Sequence, residues 1–136
     1  MDLHKPPQEV TLGLLHRSPC LEQIAAVLVD NGGRIFSLGW NHPIDQRESG
    51  AGKHAEEHAL ERANSKRVRG ATIYLAGRRA SSGAILNARP CDGTKNYRKS
   101  RTDSCLKILR ARGVRRVVHT SYSPEGSRIM WKTFDL

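Results

Sequence analysis

The apolar positions of this chain fall into short runs separated by glycine and polar clusters, and their spacing alternates between strand-like and helix-like. Gln23 to Val29 is one run, closed by Asp30-Asn31-Gly32-Gly33, and Arg34 to Trp40 is the next. Two such runs around a glycine turn predict a β-hairpin, because glycine supplies the positive φ that the turn needs. Ala71 to Ala76, Val114 to Thr120 and Arg128 to Phe134 predict three more strands. Helical signals lie between the strands. Pro6 to His16 starts at a proline, and His54 to Asn64 carries Ala55, His58, Ala59 and Ala63 as small or semi-apolar positions. Cys105 to Arg112 follows the capping residues Thr102-Asp103-Ser104 and stops at Gly113. Helices between strands imply βαβ crossovers, so the pattern predicts an α/β fold with a mixed sheet and helices packed on it.

Residues 1–136 are expected to form a single domain, with 1–20 as an N-terminal segment and two irregular polar stretches, 77–89 and 92–104, flanking Cys91. No apolar run approaches the length of a membrane span, and the N-terminus lacks the charged-then-apolar pattern of a signal peptide. Three cysteines, an odd number, do not suggest a disulfide framework, and the expectation is a cytoplasmic, reducing location without membrane association. The net charge of +10 is uneven: residues 1–60 hold five Lys/Arg against eight Asp/Glu, and residues 61–136 hold eighteen against five. Such an imbalance predicts a polyanionic partner, either nucleotide phosphates or single-stranded nucleic acid held by the basic C-terminal half. A basic, soluble surface without a specific ligand is the competing explanation.

The chemistry is concentrated in His54-Ala55-Glu56, Pro90-Cys91 and Cys105. One imidazole and two thiolates make three ligands for Zn²⁺ and leave the fourth tetrahedral position for water. Glu56, two residues beyond His54, is not needed as a ligand and stands where it can move a proton. A purely structural zinc site closes with four ligands and needs no such carboxylate. His54 and His58 share a helix face and could make a two-histidine site instead, although Glu does not directly follow the first His as in the metalloprotease motif. Glu57 reads as a solvated residue, and Cys20 is the substitute ligand should Cys105 not reach the metal.

At these residues the chain resembles the cytidine and deoxycytidylate deaminase superfamily. His54-Ala55-Glu56-Glu57-His58-Ala59-Leu60 is similar to its HAExxAL helix, and Ser37-Leu38-Gly39-Trp40-Asn41 to the preceding strand end. Gly70-Ala71-Thr72-Ile73-Tyr74-Leu75 is similar to the strand before the Pro-Cys turn, and Gly113-Val114-Arg115-Arg116-Val117-Val118-His119 to the strand after the cysteine helix. The likeness covers about residues 22 to 120. It departs from the pattern in the extra residues between Leu75 and Pro90. It departs again in the thirteen residues between Cys91 and Cys105, where two are usual.

The resemblance implies a three-layer α/β/α fold with a five-stranded mixed sheet. It also implies a zinc-dependent hydrolase that converts a cytosine base to uracil with release of ammonia, and a homo-oligomeric habit. Glu56 would be catalytic, with His54, Cys91 and Cys105 on the metal. Asn41 would bind the sugar or base, with Ala55 and Pro90 beside it. Lys95, Arg98, Lys99 and Arg101, in the spacer at the presumed mouth of the pocket, are candidates for substrate phosphate. The expected substrate is a free nucleotide or nucleoside such as deoxycytidylate. The alternatives are cytosine or adenine in single-stranded DNA or RNA, and a non-catalytic zinc module, against which an intact Glu56 argues.

Overall fold

Both faces of the central sheet are covered, and the sequence of its first strand shows why. In the computed structural model, which describes residues 2–43, 52–92, 104–123 and 128–136, strand β1 is Glu22–Val29. Its odd residues Ala25, Val27 and Val29 join Val10, Leu14 and Leu15 of the N-terminal segment in one buried cluster. Its even residues Ala26 and Leu28 join Ala55, Ala59, Leu60, Val68 and Leu109 in another. Successive side chains of a strand point to opposite faces, so a continuous apolar run needs a helix layer on each side.

The remaining strands are β2 (Ile35–Trp40), β3 (His42–Pro43), β4 (Gly52–Lys53), β5 (Thr72–Arg79), β6 (Ile85–Leu86), β7 (Arg116–Ser121) and β8 (Met130–Asp135). The helices are α1 (Pro7–Leu14), α2 (Ala55–Glu61), α3 (Ser65–Val68) and α4 (Cys105–Ala111), with a 3-10 turn at Leu15–Arg17. The five long strands lie in the order β2-β1-β5-β7-β8, with β6 added on β5; β3 and β4 pair separately. β1 is antiparallel to β2 and β5, β5 is parallel to β7, and β8 returns antiparallel to β7. This is the expected mixed sheet in a three-layer arrangement: α1 covers one face, and α2, α3 and α4 cover the other. Leu28, Ile73, Leu75 and Leu109 are fully buried, each contributing about 1.5–3 kcal/mol by leaving water. Among the described residues, no helix is long and apolar enough to cross a membrane.

Two elements differ from the sequence expectation. The helix begun at His54 ends at Glu61 rather than Asn64, because the Asn64 side chain accepts from the Lys66 N–H (2.9 Å) and starts α3. Asparagine favours such caps over helix interiors. The stretch 77–89 is also more ordered than its composition suggests. β5 continues through Gly77 to Arg79, and the chain turns at Gly83 (φ +75°) to place Ile85–Leu86 beside it as β6.

One close approach sets the position of α2. A Cβ on Gly39 would lie 2.5 Å from the Ala59 nitrogen and 2.7 Å from the Ala55 carbonyl oxygen. Only glycine lets β2 and α2 come this near. The contact is reinforced by the Ser37 hydroxyl donating to the Ala59 carbonyl (2.6 Å) and the Trp40 N–H donating to His58 Nδ1 (3.2 Å).

Candidate active site

His54 is the N-cap of α2, with extended backbone (φ −78°, ψ 153°), so its ring projects from the helix start. Its N–H donates to the Glu57 carboxylate (3.2 Å). Glu57 therefore holds the helix start and is not simply solvated; the clue in the sequence was a carboxylate three residues after the cap. Lys53, just before the cap, pairs with Glu61 of the same helix. Cys105 is the first residue of α4, and Ser104 caps that helix by accepting from the Lys107 N–H (3.0 Å), as the capping run predicted.

Cys91 follows the segment after β6, which is tied to β7 by the Ala88 N–H on the Thr120 carbonyl (3.0 Å). It meets the start of α4 twice. The Cys105 N–H donates to Cys91 Sγ (3.2 Å), and the Leu106 N–H donates to the Cys91 carbonyl (3.0 Å). His54 Nδ1 lies 3.0 Å from Cys105 Sγ. The imidazole nitrogen and both sulfurs lie within 4.8 Å of one another. Residues 51 positions apart in the chain are thus brought together by two helix starts that face each other.

This donor set fits zinc. Bonds of about 2.0–2.3 Å at tetrahedral angles put ligand atoms roughly 3.5–4 Å apart, within the observed span, and three protein ligands leave one position open. Hydrogen bonds from Cys105 and His54 lower the Cys91 thiol to about 4, whereas donating to Cys91, together with burial, pushes the Cys105 thiol far up. A metal ion held between them would take both sulfurs as thiolates. Glu56 is 6% exposed, and burial pushes its carboxyl above the ordinary value, partly offset by His54 and a hydrogen bond with Cys105.

The other expected site residues are placed as follows. Ala55 and Pro90 are buried next to the ligand residues in sequence. Asn41 is half-buried, and its amide is engaged within the chain: Oδ1 accepts from the Ile24 N–H (2.9 Å) and the Ser18 hydroxyl, and Nδ2 donates to the Glu22 carbonyl (2.8 Å). Lys95, Arg98, Lys99 and Arg101 lie outside the described residues. Cys20 is not part of the ligand cluster; its N–H donates to the Ser18 hydroxyl (3.2 Å). His58 is turned to Trp40 rather than to the metal ligands, and burial with the nearby His42 and Arg62 lowers its pKa. Two supports were not foreseen: the Gly39 contact beneath α2, and a polar chain in which Arg78 donates to Gln23 Oε1 (2.8 Å) and Gln23 donates to the Ser18 carbonyl (3.0 Å).

A helix-borne histidine and glutamate facing two cysteines on this sheet define a class of zinc deaminase. The family described as cytidine and deoxycytidylate deaminase zinc-binding region matches residues 14–121. The chain belongs to that family and is a zinc-dependent hydrolytic deaminase. Cytidine deaminase from Burkholderia pseudomallei shares the fold with a TM-score of 0.62 and 20% identity, over 99% of this chain and 93% of that one. Acinetobacter baumannii RibD, form 1, aligns at 24% identity and a TM-score of 0.47 over 72% of this chain; the aligned part is 21% of that protein. A search of curated protein sequences gave no match.

Proposed function

We propose that this protein deaminates cytosine in a free nucleotide or nucleoside, deoxycytidylate being the leading candidate, with His54, Cys91 and Cys105 holding zinc and Glu56 moving the proton. The observation that carries the reading is the buried Glu56 carboxyl on the first turn of the helix whose cap, His54, lies 3.0 Å from Cys105 Sγ. Zinc, when bound there, makes water acidic enough to act as a nucleophile near neutral pH. Glu56 would take one proton as water adds to C4 of the base and place it on N3, and would then carry the second proton, from the new C4 hydroxyl, to the departing amino group. The C4–N4 bond breaks, ammonia leaves and uracil remains. A carboxyl raised by burial is suited to both halves of this transfer. Ala55 and Pro90 wall the base, and Lys95, Arg98, Lys99 and Arg101 hold the 5′-phosphate.

A second reading, deamination of cytosine or adenine in single-stranded DNA or RNA, draws on the cation excess of residues 61–136. Part of that excess has partners within the chain. Arg67 pairs with Asp30 and Arg116 with Asp135, Arg78 holds Gln23, and Arg62 and Arg89 lie over Trp40 and Phe134. This supports the free-nucleotide reading.

The test is ammonia release by zinc-loaded protein on cytidine, deoxycytidine, their monophosphates, and single-stranded DNA and RNA. Turnover of the monomers is expected, and Glu56→Ala should lose about 10²–10⁴-fold while its zinc content stays unchanged. Turnover confined to polymers would establish the second reading. Silence on every substrate with zinc bound would overturn both.

A further inference from the structure

Among the described residues, one group of cations without acidic partners lies at the end of α4 away from the metal ligands. α4 runs from Cys105 to Ala111, about 10 Å at 1.5 Å per residue, and its far end carries Arg110 and Arg112. The turn from α4 into β7 adds Arg115, and α3 with its turn into β5 adds Lys66 and Arg69. These two turns are joined to each other. The Gly70 N–H donates to the Gly113 carbonyl (2.8 Å), and the Arg115 N–H donates to the Ala71 carbonyl (2.8 Å). Gly70 and Gly113 have φ of +79° and +87°, and a Cβ on Gly113 would lie 3.3 Å from Arg69 Cα. The turns are therefore tight and fixed, at the N-terminal ends of the parallel strands β5 and β7. Among the described residues, Asp30 and Asp135 at this end are paired, Asp30 with Arg67 (2.6 Å) and Asp135 with Arg116 (2.9 Å). Among the described residues, Lys66, Arg69, Arg110, Arg112 and Arg115 form no ion pair, and all but the half-buried Arg112 are exposed.

We propose that these two joined turns are a docking surface for the phosphodiester backbone of a nucleic acid, remote from the zinc ligands. Four of the five cations are arginines, whose planar forks match phosphate oxygens two at a time. The large exposed apolar residues, Leu3, Leu21, Tyr122 and Met130, all lie outside these turns. The surface thus lacks the apolar centre of a protein interface and the apolar face of a membrane-binding element. The described residues of these two turns, 66–71 and 110–115, include no aromatic side chain on which a base could stack, so the surface grips backbone without reading sequence. Five cations over two turns suit a repeating charge better than one phosphate group. Nucleic acid held here would be tethered a helix length from the chemistry.

Fluorescence anisotropy with oligothymidylate, which offers no cytosine, tests the surface separately from turnover, in zinc-loaded and metal-free protein alike. Five phosphate contacts predict a slope of about −3.5 in log K against log salt, hence roughly a 100-fold loss between about 50 and 200 mM. Replacing Lys66, Arg69, Arg110, Arg112 and Arg115 by serine should weaken binding at least about tenfold and flatten the slope, leaving mononucleotide deamination unchanged. If that variant does not fold, Arg110→Ser with Arg115→Ser should lower the slope by about 1.4. Unchanged binding in the folded variant would overturn the proposal. So would tighter binding to phosphatidylserine vesicles or polyglutamate than to the oligonucleotide. Because no base is turned over, a failed deamination assay leaves this result standing.

Discussion

Helices α2 and α4 each bring one metal ligand to the site from their first turn, yet they are held there by different means. α2 is fixed from beneath. Gly39 lets β2 touch its backbone, and Ser37 and Trp40 bond to Ala59 and His58. α4 is fixed at its start, by the Ser104 cap and by the pair of N–H groups that grip Cys91. His54 is thus positioned by sheet packing, whereas Cys91 and Cys105 are positioned largely by each other. Both helices also send side chains into one core, Ala59 and Leu60 from α2 and Leu109 from α4, so the difference lies in what fixes each helix start.

Gly39→Ala should break the α2 side most severely. A methyl group placed 2.5 Å from a backbone nitrogen forces the helix away, at a cost of about 3 kcal/mol in unfolding free energy by denaturant titration. Zinc binding should fail with it, because His54 moves with the helix. A variant as stable as the parent would show that the sheet does not set the His54 position. Ser104→Ala acts on the other side and should be milder, about 1 kcal/mol from loss of the cap. Its sharper effect should be on zinc affinity, several-fold weaker by competition with a chelator, while protection of the α2 amides from hydrogen exchange stays at the parent level.

The smallest effect concerns pH. His58 accepts the Trp40 N–H at Nδ1, which only the neutral ring can do, and burial, His42 and Arg62 lower its pKa from 6.5. The unfolded chain therefore takes up this proton first as pH falls. Stability contributed by neutral His58 is complete above about pH 6.5 and is lost below it until the folded ring also protonates. His58→Gln keeps an acceptor without titrating, so it should flatten the stability profile between pH 7 and 5. An unchanged profile would mean that α2 does not depend on that bond.

Local pattern carried most of the fold. β1, β2, the core of β5, α4, β7 and β8 were legible because alternation, caps and glycine stops are local signals. The extension of β5 through Gly77 to Arg79 was not. Its fit depends on Ile24 and Leu86 closing on a residue without a side chain. The His54, Glu56, Cys91, Cys105 set was legible as chemistry, and the structure gathers the three ligand residues into one cluster. What surrounds them was less so. Asn41 reads as a residue for substrate, but its amide meets Ser18, Ile24 and Glu22, partners 17 to 23 residues away that only the folded sheet brings near. Glu57 reads as solvated because a histidine is an unusual cap, and the carboxylate's partner is the backbone of that cap.

The double grip of α4 on Cys91 also bears on how freely the chain between the cysteines can change in length. Because Cys91 and Leu106 are clasped through backbone groups, the chain between the two cysteines leaves and returns at one fixed point. Doubling such a loop adds only about 0.6 kcal/mol of closure entropy. A change in its length therefore costs little in stability while the clasp keeps the two cysteines together.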